Sequence, residues 1–180
     1  VDPLVATQEA KLSGAGPNDG TTNDYLGTGV AVDPAMSFPN IAAVGAPGRD
    51  LGANTERGAI YVFEKVASWG LTSVLVGSDG ATGDELGTTV GLSGTTIVAG
   101  ARNASSQAGA AYVFVRNGTT WTQQQKLTAS DATALDLFGT SVAIDANTIV
   151  VGAPLDDVGA NANQGSAYVF VRSGTTWTQQ

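Results

Sequence analysis

Residues 138–177, FGTSVAIDANTIVVGAPLDDVGANANQGSAYVFVRSGTTW, decide the fold. Short runs rich in Val, Ile, Tyr, Phe and Thr alternate here with Asp145-Ala146-Asn147, a long polar stretch after Pro154, and Gly174-Thr175-Thr176. That is the punctuation of strands and tight turns, and no helical period runs through it. Thr148-Ile149-Val150-Val151 is apolar on both alternating faces, as expected of a strand covered on both sides.

The same order occurs twice upstream. Tyr168-Val169-Phe170 is matched by Tyr112-Val113-Phe114 and Tyr61-Val62-Phe63, at intervals of 56 and 51 residues. Trp177 is matched by Trp121 and Trp69, and Gly152-Ala153-Pro154 by Gly100-Ala101-Arg102 and Gly45-Ala46-Pro47. Phe138-Gly139-Thr140 follows Leu86-Gly87-Thr88 and Leu26-Gly27-Thr28. Self-similarity at a steady period marks a repeat architecture. Ser93-Gly94-Thr95 and Gly118-Thr119-Thr120 are short enough to join antiparallel neighbours, so each unit holds four strands, the size of a propeller blade. The expectation is an all-β protein of three four-stranded antiparallel β-propeller blades, in units of about 1–68, 69–120 and 121–180, with the last strand incomplete. The tyrosines and phenylalanines share one face of their strand and are expected to pack blade on blade. The tryptophans, at the start of each outer strand, are expected to cover the blade's edge.

The ordered set of [Leu/Phe]-Gly-Thr, Gly-Ala-Pro, Gly-x-Ala-Tyr-Val-Phe and Gly-Thr-Thr-Trp resembles the FG-GAP repeat, which also builds the head of integrin α chains. The resemblance covers nearly the whole chain, and residues 138–177 match best. It implies a propeller segment, part of a larger or oligomeric ring, because three blades do not close one. Thr7-Gln8-Glu9-Ala10-Lys11-Leu12 parallels Thr122-Gln123-Gln124-Gln125-Lys126-Leu127. Two origins are therefore open: a stretch of a longer repeat protein, or a self-associating half whose two copies supply six blades.

The resemblance also raises Ca²⁺, the possible cofactor. The loop that holds it in integrin-type blades has no room in the second and third units, where Gly87 to Gly100 and Gly139 to Gly152 are each 13 residues apart. In the first, where Gly27 to Gly45 is 18, the added segment offers Asp33 and Asn40 rather than a ligand set. A different acidic pattern recurs: Asp19 and Asp24, Asp79 and Asp84, Asp131 and Asp136, with the second Asp two residues before Leu/Phe-Gly. One reading makes these carboxylates turn formers that accept backbone N–H bonds. The other makes them hard-cation ligands, with loop carbonyls completing the oxygen shell. The loops after Gly-Ala-Pro differ between units, and Arg49, Asp50, Arg57, Asp156, Asp157, Asn161 and Asn163 are their candidate ligand contacts.

Eight basic against sixteen acidic residues give a net charge of −8, which repels polyphosphate backbones and anionic lipid, so nucleic acid is not an expected partner. No run of apolar residues is long enough for a membrane-spanning helix. With no Cys and no His, disulfides, thiol nucleophiles and histidine-based triads are excluded. Paired carboxylates suit glycoside hydrolysis, but a pair present in every unit is architectural, since an active site occurs once.

The resemblance implies a non-enzymatic extracellular or cell-surface adhesion module that engages a protein or glycan through one loop-bearing face, or associates with itself. The alternative is a structural repeat unit of an extracellular filament or surface assembly. A carboxylate- and metal-dependent enzyme is the third reading, with Asp156-Asp157 as the only acidic excess in one unit.

Overall fold

The computed structural model describes residues 8–14, 23–33 and 40–180. Its strands form three four-stranded antiparallel sheets. The first contains β1 (Val30–Val32), β2 (Asn40–Ala46), β3 (Ala59–Lys65) and β4 (Trp69–Leu75). The second contains β5 (Thr89–Ser93), β6 (Thr96–Ala101), β7 (Ala110–Asn117) and β8 (Thr120–Leu127), and the third β9 (Ser141–Asp145), β10 (Thr148–Ala153), β11 (Ser166–Ser173) and β12 (Thr176–Gln179). Strands pair in chain order, so each sheet is a simple meander. Two-residue turns at Gly94-Thr95, Gly118-Thr119, Ala146-Asn147 and Gly174-Thr175 connect them, with positive φ at Gly94, Gly118, Ala146 and Gly174.

The Trp69 strand pairs with β3 and closes the first sheet. Sheets and sequence units are therefore offset by one strand: a unit counted from its tryptophan begins on the outer strand of the preceding blade. The sole helical element among the described residues, Ala104–Gln107, is one left-handed turn, with φ of 56°, 60° and 67° at Ser105, Ser106 and Gln107.

The central strands of the first two blades are buried on both faces, and their two faces belong to different cores, whereas β10 and β11 of the third are buried on one face. Ile41, Ala43, Ile60 and Val62 of the first blade pack with Ile97, Ala99, Tyr112 and Phe114 of the second. Val98, Ala111 and Val113 on the second blade's other face pack with Ile149, Val151, Tyr168 and Phe170 of the third. Small and β-branched residues of one blade thus receive the aromatic face of the next. Each fully buried side chain of this size contributes about 1.5–3 kcal/mol, so the junctions hold the array together. Trp121 and Trp177 are buried inside these junctions and do not cover an outer edge. An indole is large enough to reach from its outer strand into the neighbouring blade.

The motif glycines have a shared geometric cause. Within a blade, the glycine after Leu/Phe donates its N–H to the first residue of Gly-Ala-Pro or Gly-Ala-Arg: Gly27 to Gly45, Gly87 to Gly100 and Gly139 to Gly152, at 2.9–3.0 Å. Between blades the same two positions touch. A Cβ built on Gly45 would stand 1.9 Å from the Gly87 oxygen, and one on Gly100 would stand 1.9 Å from the Gly139 oxygen. No side chain fits where backbone meets backbone. Beside this contact, Leu86 N–H donates to Arg57 O (3.1 Å) and Phe138 N–H to Ala108 O (3.0 Å), forming parallel bridges between consecutive blades.

Candidate functional site

The segment before each Leu/Phe-Gly has one backbone course in all three units. Asn23, Gly83 and Leu135 have φ of 73°, 80° and 77°; two residues on, Tyr25, Glu85 and Leu137 have φ of 53°, 57° and 57°. The aspartate between these left-handed residues holds the turn. Asp84 accepts the Ala81 N–H (2.8 Å), and Asp136 accepts both the Thr133 N–H and its hydroxyl (2.6 and 2.7 Å). Asp24, at the same position, is buried likewise. The motif threonine closes the other side: Thr28, Thr88 and Thr140 each donate a hydroxyl to the carbonyl three residues back, at 2.7–2.8 Å.

The other member of each aspartate pair has a different task. Asp79 accepts the Tyr112 hydroxyl (2.8 Å) and pairs with Lys126 (2.7 Å), whose ammonium also lies over the Tyr112 ring. Asp131 accepts the Tyr168 hydroxyl at 2.9 Å. Asp19 lies outside the described residues. The bond from Lys126 holds the Asp79 carboxyl below its usual range. Burial, and then the aspartate each tyrosine donates to, pushes Tyr112 and Tyr168 well above the normal phenol value. A calcium cage fits this donor set poorly: Asp79, Asp84, Asp131 and Asp136 all face protein donors, and no three acidic groups gather among the described residues.

The loops after Gly-Ala-Pro are built structures. In the first blade Asp50 accepts the Glu56 N–H (2.9 Å) around the Leu51–Asn54 bridge; in the third, Asp157 accepts the Asn163 N–H (2.7 Å) around the Val158–Asn161 bridge. In the second blade the left-handed turn at Ala104–Gln107 replaces this hairpin. Asp50, Asp157, Asn161 and Asn163 are on the surface, with Asn161 bonded to Gln164. Three other loop candidates turn inward. Arg49 lies over the Tyr61 ring and donates to its hydroxyl. Arg57 donates to Gly77 O beneath the connection to the second blade. Asp156 is buried, where it accepts from the Ser166 and Tyr168 hydroxyls. Arg49 and Asp156 occupy equivalent positions, so the tyrosine is tethered by a cation in one blade and a carboxylate in another.

Where the first-blade loop meets the turns of both blades, a cleft of about 280 Å³ opens, lined by Tyr25, Thr28, Pro47, Gly48, Glu56, Glu85, Thr88 and Arg102. Arg102 pairs with Glu85 at 3.1 Å. Tyr25 is 59% exposed, and the Glu56 carboxylate makes no ion pair among the described residues. Sequence reading passed over Tyr25, Glu56, Glu85 and Arg102 because they occupy four separate places in two units. The recurring position two residues after the left-handed Asn23 and Gly83 was the signal available.

A family model described as the FG-GAP repeat matches residues 6–63, 69–114 and 121–170. The chain belongs to the FG-GAP repeat family. A search of curated proteins finds no match. FG-GAP repeats form propeller-like domains typical of extracellular or surface proteins. The matched segments follow the sequence units, so the FG-GAP period, like the tryptophan count, runs one strand out of step with the sheets. Among the described residues no helix is long and apolar enough to cross a membrane.

Proposed function

We propose that this chain is a non-enzymatic binding module of an extracellular or cell-surface protein, engaging a protein or glycan through the loop-bearing face of its blades. The observation that carries the reading is the cleft between the first two blades. It combines an exposed aromatic ring at Tyr25, a carboxylate at Glu56 and the Arg102–Glu85 pair on a rigid frame. An aromatic face with hydrogen-bonding carboxylates and a guanidinium suits a sugar ring or a polar peptide segment. Asp79, Asp84, Asp131 and Asp136 are engaged in holding turns and tyrosines, which supports a scaffold role.

The test is an amide NMR titration of the 180-residue chain with neutral and amino-sugar oligosaccharides and, separately, a Lys/Arg-rich peptide. Shifts at Thr28, Gly48 and Thr88 are expected with one of the probes. Tyr25→Asn, which keeps the left-handed backbone accessible, and Glu56→Gln are each expected to weaken binding about fivefold or more, roughly 1 kcal/mol, without altering the fold. Absence of shifts at these amides with every probe refutes the cleft as the site.

A further inference from the structure

Two stretches of the chain have the Asn-x-Ser/Thr pattern that accepts an N-linked oligosaccharide: Asn103-Ala104-Ser105 and Asn117-Gly118-Thr119. Both lie in the second blade, which packs against a blade on either side, yet the fold treats them in opposite ways. The first is built into a blade junction. Asn103 is half-buried and its carbonyl accepts the Gln107 N–H at 3.2 Å. Ala104 is 1% exposed and belongs to the core shared with the first blade.

The second stretch occupies the tight turn between β7 and β8. Asn117 pairs with Thr120 across Gly118-Thr119, and all four residues are exposed. A Cβ on Gly118 would meet nothing within 4 Å, so the space around the turn is open. The corresponding turns carry Ser173-Gly174-Thr175 in the third blade and Val66-Ala67-Ser68 in the first, so the acceptor amide occurs once. Because each sheet is a meander, its connections alternate between two faces. The cleft and the loops after Gly-Ala-Pro lie on one face. The β7–β8 turn lies on the other, at the far end of a strand of eight residues, about 25 Å long.

We propose that Asn117 is a glycosylation site, carrying an N-linked oligosaccharide on the face opposite the cleft. The proposal rests on the extracellular reading given above, since the transfer belongs to the secretory route. The donor is an oligosaccharide linked to a lipid pyrophosphate. Asn117 Nδ2 bonds to the sugar C1 and gives up one proton to a base of the transferase, while the bond from C1 to the pyrophosphate oxygen breaks and the lipid pyrophosphate leaves with the electron pair. A bulky, hydrated group at this turn keeps the opposite face out of protein contacts and leaves the loop face to engage a partner.

Expression of the 180-residue chain behind a cleavable leader in cultured animal cells tests this, read by intact mass and peptide mapping. The folded chain should exceed its polypeptide mass of 18.1 kDa, and peptide N-glycosidase should remove the excess and leave the Asn117 amide hydrolysed to a carboxylate. Asn117→Gln and Thr119→Ala replace exposed turn residues, so circular dichroism should show both folded, and each should abolish the added mass. Secreted and retained pools are both mapped, because the transfer acts on the nascent chain before export. Unmodified Asn117 in both pools overturns the proposal, as does a folded chain glycosylated at Asn103 alone. Either result leaves the cleft reading standing, since the amide titration tests that separately. Glycosylated and enzyme-stripped chains should give the same ligand shifts at Thr28, Gly48 and Thr88; shifts lost only in the glycosylated form overturn the placement on the opposite face, and shifts absent from both refute the cleft and not the site.

Discussion

Replacing Gly100 with alanine places a methyl group 1.9 Å from the Gly139 oxygen and 2.6 Å from Thr89 Cγ2. The oxygen belongs to the next blade's backbone, and ordinary contact begins at 3.4 Å, so the junction must open locally by about 1.5 Å. Overpacking of this kind costs about 1–3 kcal/mol. The flanking bonds from Leu137 N–H to Gln107 O (2.9 Å) and Phe138 N–H to Ala108 O (3.0 Å) stretch with it. At about 1 kcal/mol net for each bond, the total loss is about 3–5 kcal/mol. For a chain of this size that lowers Tm by about 10–15 °C. Gly70→Ala is the control, since a Cβ there meets nothing within 4 Å and should leave Tm within about 2 °C. Thermal unfolding followed by circular dichroism gives the magnitude, and hydrogen exchange at the Leu137 and Phe138 amides gives the location. A Gly100→Ala protein within about 1 kcal/mol of wild type, or with both amides still protected, refutes the claim that this glycine is sterically required.

Trp177 Nε1 donates to Gln124 on the preceding blade at 3.0 Å, whereas the buried Trp121 Nε1 has no hydrogen-bond partner among the described residues, and Thr72 stands where Gln124 does, as the extra residue of the outer-strand bulge. Thr72→Gln should supply the acceptor and raise stability by about 1 kcal/mol, read as a higher Tm that vanishes when Trp121 is also changed to Phe. Tyr112 and Tyr168 hold their protons more tightly folded than unfolded, so their contribution is complete below the ordinary phenol value of 10.0 and falls as pH rises past it; Tm should drop there, and less steeply in Tyr112→Phe. Asp79 acts in the opposite sense: its lowered carboxyl stabilises above the ordinary value of 3.8, and that contribution is lost as pH falls below it, which Asp79→Asn should reveal as a flatter acid limb. Because the recurring aspartates face protein donors, adding Ca²⁺ or EDTA should leave Tm unchanged; a calcium-dependent rise of about 3 °C or more would make them ligands.

Much of the architecture was legible because it depends on spacing. Tyr-Val-Phe, the two-residue turns and the doubly apolar strands each announce themselves locally, and their recurrence supplies the order. The assignment of strands to sheets was less legible. Trp121 and Trp177 sit after a tight turn from the Tyr-Val-Phe strand, yet their side chains belong to cores shared with a neighbouring blade, which no local pattern shows. The aspartate pairs looked uniform in sequence but divide in space, one member closing its own turn and the other binding a tyrosine hydroxyl on a strand 33 or 37 residues away. Asp156 looked like a surface loop residue next to Asp157; a single residue's turn of the backbone sends one inward and the other to solvent. The cleft at Tyr25 and Arg102 was not legible because it exists only where two units meet.

The paired glycines of the signature belong to different blades at the point where they touch. Each unit therefore carries one complementary half of a junction at either end, and none of the contact depends on which neighbour supplies the other half. Duplication or loss of one whole unit leaves every remaining joint intact, whereas a break inside a unit spoils two. A lineage built this way can change its blade number by unequal recombination without inventing a new interface, so copy number is the variable along which such chains are free to diverge.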